Sequence, residues 1–131
     1  MAKKISIGQF DPKIYPRKVW VAKGGTLEQI RAKFTLPDGS PIRFDGDFGA
    51  YVNTVMHHVT GKLGELIWYP QANLMPIDFI AHEAAHAALD IFEDCNCIVD
   101  TRNQEPFAYL IGYIAKCIDQ VKRNQHQEME I

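Results

Sequence analysis

Residues 76–92, PIDFIAHEAAHAALDIF, decide how this chain is read. The alanines favour a helix. Pro76 suits a first helical position, and Asp78 suits the first turn, where the helix dipole favours a negative charge. The stretch is apolar almost all round, which predicts a buried helix. A buried helix should avoid polar groups it cannot pair, because each costs a few kcal/mol. This one nevertheless carries His82, Glu83 and His86. Residues four apart share one helix face, so His82 and His86 can hold one metal ion between them, which would satisfy both. Glu83 is rotated by about 100° from His82. That puts it beside the ion, where it can take a proton from metal-bound water.

The rest of the chain divides around this helix. Residues 93–101 (EDCNCIVDT) read as an irregular connection, in which Cys95 and Cys97 match neither a redox nor a finger spacing. Asn103 is a candidate cap for a last helix over 104–122, whose apolar stripe is Phe107, Leu110, Ile111, Ile114, Ile118 and Val121. The polar tail 123–131 is expected to fray. Upstream, the period is that of strands. Residues 4–10 alternate, 18–22 are β-branched and aromatic, and 50–59 and 63–69 flank a Thr60-Gly61-Lys62 hairpin turn. Thr26 caps a short helix over 27–34. His57 and His58 point to opposite faces of a strand and are expected at the surface. The prediction is one α+β domain over 1–131: a strand-rich part, 1–70, and two metal-bearing helices, 76–124. A small, mostly antiparallel twisted sheet packs on the motif helix and the last helix.

Composition excludes several classes. With 131 residues, the chain can bury a core without staples. Fourteen Lys+Arg against sixteen Asp+Glu leave no basic footprint, so no nucleic-acid partner is expected. No apolar run reaches the ~20 residues of a membrane helix, and the first residues, MAKKISIGQF, lack the apolar stretch of a secretory signal. Three cysteines imply no disulfide framework, so a cytoplasmic setting is expected.

His82-Glu83-Ala84-Ala85-His86 is the H-E-x-x-H arrangement of zinc metallopeptidases. Catalytic zinc usually has three protein ligands and an open position for water. Leu89 and Phe92 stand where a metzincin has Gly and His. A deformylase takes a cysteine from upstream of the helix, whereas Cys95, Cys97 and Cys117 all follow it. Glu105 is the best remaining candidate for the third ligand, with Asp94 and Asp100 as alternatives.

With Glu105 eighteen residues beyond His86, counting those between, the chain resembles a gluzincin. In that group, two motif histidines and a glutamate on a following helix bind zinc. Residues 103–108, NQEPFA, are similar to the N-E-x-F-A pattern of aminopeptidase-type members, with Gln104 inserted. The likeness covers residues 77–114. It implies one zinc ion on His82, His86 and Glu105, Glu83 as general base, a zincin-like fold and peptide-bond hydrolysis. Small residues (Ala81, Ala84, Ala85 and Ala88 on one helix, Ala108 and Gly112 on the other) fit a close approach of the two helices. Asp90, which some gluzincins share, and Asp78 lie four residues from His86 and His82 as candidate acceptors of a ring N–H. Tyr109 stands where thermolysin-like enzymes have an aspartate. It is a candidate hydrogen-bond donor or oxyanion stabiliser, or else a core tyrosine. His126 is a weaker oxyanion candidate. Ala50, Tyr51, Val52 and Asn53 faintly resemble the substrate edge strand, with Val52 in place of the amine-binding glutamate, which points away from an aminopeptidase. The expected partners are a protein or peptide substrate and a regulatory protein. The competing expectation is a non-catalytic zinc protein that uses the same site structurally or to bind a partner.

Overall fold

The structure is a computed structural model that describes residues 4–44 and 49–130. It is an α+β fold. The elements run β1 (Ile5–Phe10), β2 (Lys18–Gly24), α1 (Leu27–Lys33), β3 (Phe34–Thr35), β4 (Tyr51–His57), β5 (Leu63–Tyr69), α2 (Ile77–Asp94) and α3 (Glu105–Lys122). They form one five-stranded sheet in the order β1-β2-β5-β4-β3. The sheet is antiparallel except where β2 pairs with β5 in parallel. A parallel pair needs a long crossover, and here α1, β3 and β4 supply it.

The two central strands are buried on both faces, which is why they read as near-continuous apolar runs. Val19, Val21, Ile67 and Tyr69 face α2 and α3. Trp20, Ala22, Leu66 and Trp68 face the other way, against Ile30 of α1, Phe34 and Ile42. The core is therefore two layers on either side of the sheet. Gly64 lets β2 and β5 meet, since a Cβ there would fall 2.4 Å from the Lys18 carbonyl oxygen. The β4–β5 hairpin closes as expected, with His57 N–H donating to Lys62 O and Gly61, at φ 71°, turning the chain. Thr26 and Gln29 form a reciprocal cap at α1.

Five local expectations are corrected. His57 is buried between Trp20 and Phe34, and its Nδ1 accepts from the Val59 and Thr60 N–H groups at 3.1 and 3.2 Å. The tail does not fray: Met129 N–H donates to Ile7 O at 2.7 Å, and the Glu128 carboxylate takes hydrogen bonds from Ser6 and from the Ile7 N–H. Pro76 is the cap of α2 rather than its first residue, and Asn103 does not cap α3, which starts after Gln104 with Pro106 in its first turn. Finally, α2 is not buried all round. Ile80, Ala84, Ala87, Ala88, Ile91 and Phe92 form its inner stripe, while Ile77, Phe79 and Leu89 are exposed. Among the described residues, no helix is long and apolar enough to cross a membrane.

Candidate metal centre

Helix α2 packs against α3, β4 and β5 through its inner stripe. At about 100° per residue, His82 and His86 emerge roughly 150–170° from the centre of that stripe, on the exposed face. Their Nε2 atoms point at one another, 3.1 Å apart. Two imidazole nitrogens at about 2.0–2.1 Å from a tetrahedral zinc lie about 3.3–3.4 Å apart, so the pair fits one ion with little movement. Among the described residues, His82, Glu83 and His86 form a group whose ligand atoms all lie within 4.8 Å of one another.

Glu83 sits on the flank between the exposed face and the sheet and is half-buried. Burial pushes its carboxyl up, and the two imidazoles pull it partly back. Both effects suit a proton acceptor beside a metal. Beneath it lies Tyr69, at the end of β5 and fully buried. Its hydroxyl donates to the Phe79 carbonyl at 3.2 Å. Burial first, then the Glu83 carboxylate nearby, pushes its phenol above the usual tyrosine range, so it stays protonated. Tyr69 thus ties the first turn of α2 to the sheet below the motif.

A second polar cluster lies further along α2. Glu65, on β5, is 1% exposed and takes a 3.0 Å hydrogen bond from the Thr54 hydroxyl. Among the described residues, its Oε1 has no hydrogen-bond partner. Burial first, then the Asp90 carboxyl beside it, push the Glu65 acid up to about 11, so it stays protonated at neutral pH. Asp90 is half-buried and its neighbour is this acid. At the helix end, Asp94 is paired with Arg17. Sequence reasoning missed Tyr69, Glu65 and Thr54. The signal was in LGELIWY, where strand alternation puts Glu65 on the same face as Ile67 and Tyr69.

The other expected site residues are placed as follows. Glu105 is outside the ligand group. It lies roughly 180° round α3 from the Leu110–Ile114–Ile118–Val121 stripe, exposed to solvent. Tyr109 shares that face and is 73% exposed, so it is no core tyrosine. The close approach at Gly112 is also corrected: a Cβ there would meet nothing within 4 Å, whereas Ala84 and Ala88 on α2 are indeed buried. The physical reason is the stripe itself, which turns this small-residue face outward. Asp78 is exposed in the first turn of α2. His126 is held by Ser6 and Glu128 at the β1 edge and takes no part in the site. Val52 and Ala50 pack toward the α2–α3 side, Tyr51 is buried on the opposite face, and Asn53 is exposed. β3 pairs only with His57 and Met56, so among the described residues no strand covers the outer edge of β4 from Tyr51 to Val55.

No comparison with known proteins supplies an identity. The chain matches no protein-family profile, and no curated protein or solved structure gives a significant match.

Proposed function

We propose that this chain is a compact zinc-dependent metallopeptidase of zincin-like build, with His82 and His86 as ligands and Glu83 as general base. The observation that carries it is the gathering of one ligand atom each from His82, Glu83 and His86 within 4.8 Å, the two histidines on the exposed face of α2 and Glu83 on its half-buried flank. When bound, zinc lowers the pKa of its water towards ~7 and polarises the scissile carbonyl. Glu83, half-buried and raised, takes the water proton and delivers it to the leaving amine. Tyr69 holds the first turn of α2 while that carboxylate works. The edge of β4, which no strand covers among the described residues, offers backbone groups to an extended peptide. His82 and His86 would hold the ion, and its remaining positions would be left to solvent, substrate or a further protein ligand.

The position of Glu105 favours one other reading. With that carboxylate outside the group, the same histidines serve a non-catalytic zinc site that binds a partner protein. Zinc content and cleavage of a broad peptide library, measured on wild type and Glu83→Gln, separate the two. The peptidase reading expects one zinc per chain in both proteins and cleavage only by the wild type. Stoichiometric zinc with no cleavage by the wild type leaves the non-catalytic reading, and absence of zinc binding removes both.

A further inference from the structure

A pocket of about 630 Å³ opens at the N-terminal end of α3, where the loop joining β1 to β2 lies against the helix. It falls in the ~300–1,000 Å³ range of pockets that enclose drug-sized ligands. Its walls include Pro12, Ile14 and Tyr15 from the loop and Pro106, Tyr109 and Tyr113 from the helix. Ile14 is 81% exposed and Tyr109 73% exposed, among the largest apolar exposures of the described residues. Both line this one pocket, so two of the most exposed large apolar side chains meet at one place.

The walls are held in place. The loop turns through Lys13, at φ 67°, and is fastened by Lys13 N–H to the Asp11 carboxylate, Ile14 N–H to Pro12 O and Arg17 N–H to Tyr15 O. The Tyr15 ring packs on Phe92 at 5.9 Å, and Phe92 packs on Phe107 at 5.1 Å, which anchors the loop to both helices. The pocket therefore exists before any ligand arrives. Among its described lining residues, Glu105 is the one that carries charge, and that charge is negative.

Three tyrosines beside a single carboxylate make a site for a cation on an apolar stem. Tyrosine faces attract cations, arginine most often. A guanidinium can also stack flat on a ring while it forms paired hydrogen bonds to a carboxylate, which an ammonium cannot. The prolines and Ile14 leave apolar wall on either side for the residues that flank such a cation, and tyrosine-lined grooves suit extended proline-rich segments. We propose that this pocket binds an arginine side chain of an extended, proline-flanked peptide, with the guanidinium on Glu105 and Tyr109. The inference does not depend on the metal site. It gives Glu105 and Tyr109 a role that the histidine pair does not.

The test is titration of metal-free full-length protein with blocked Pro-Arg-Pro, Pro-Lys-Pro and Pro-Gln-Pro peptides, followed by NMR shifts of the tyrosine rings. The expected result is saturable binding of the arginine peptide, weaker binding of the lysine peptide, and a loss of roughly tenfold or more for glutamine. Glu105→Gln and Tyr109→Ala, both on the exposed face of α3, should each weaken arginine binding by roughly five- to tenfold while the far-ultraviolet spectrum stays unchanged. Equal binding of the glutamine peptide overturns the cation assignment. Arginine binding indifferent to both substitutions, or no saturation below roughly 1 mM, overturns the pocket assignment.

Discussion

Glu65→Gln should stabilise this protein and flatten its pH dependence. Glu65 is buried at 1% exposure and its acid is pushed up to about 11, against 4.5 for the free side chain. The sign follows from proton counting. Above pH 4.5 the unfolded chain releases this proton and the folded chain keeps it, so the folded state binds more protons and stability falls as pH rises. The contribution is fully present below pH 4.5 and is progressively lost towards pH 11. At ~1.4 kcal/mol per pH unit, the loss at pH 7 is on the order of 3 kcal/mol. Glutamine keeps the shape, can still accept from the Thr54 hydroxyl, and has no proton to take up or release. Urea unfolding of both proteins at about pH 5 and about pH 7 measures this directly. The wild type should lose on the order of 2–3 kcal/mol more than the variant between these two pH values. Parallel pH profiles for the two proteins would refute the buried-acid argument.

Three further outcomes are expected. His86→Ala should abolish tight zinc binding, read by competition with a chromogenic chelator, and leave the metal-free unfolding midpoint nearly unchanged because the ring is exposed. Glu105→Ala should leave zinc affinity within about twofold of wild type in the same assay, since its carboxylate lies outside the ligand group; a loss above roughly tenfold would restore it as the third ligand. Tyr69→Phe removes the hydrogen bond to the Phe79 carbonyl and should cost about 1 kcal/mol in denaturant unfolding without changing zinc stoichiometry.

Most of the element map could be read from residue order. Strand alternation, the Thr60-Gly61-Lys62 turn, the Thr26 cap and the helical period after Pro76 are all local, and local sterics and hydrogen bonding decide them. The tail's order is not legible in its polar composition, because its partners, Ser6 and Ile7, lie over 120 residues away in sequence. The burial of His57 is hidden for a similar reason, since residue order does not show that Trp20 and Phe34 enclose it.

By itself the sequence determined that His82, Glu83 and His86 stand together, because four residues make one turn of helix and no neighbour is needed to align them. Whether a distant carboxylate joins them was a question of tertiary structure. Glu105 has the spacing, but α3 buries its opposite stripe against the sheet and α2, and the larger apolar area sets the helix's rotation. That same rotation exposes Tyr109 and Glu105 beside Tyr15 and builds a pocket from residues some ninety positions apart.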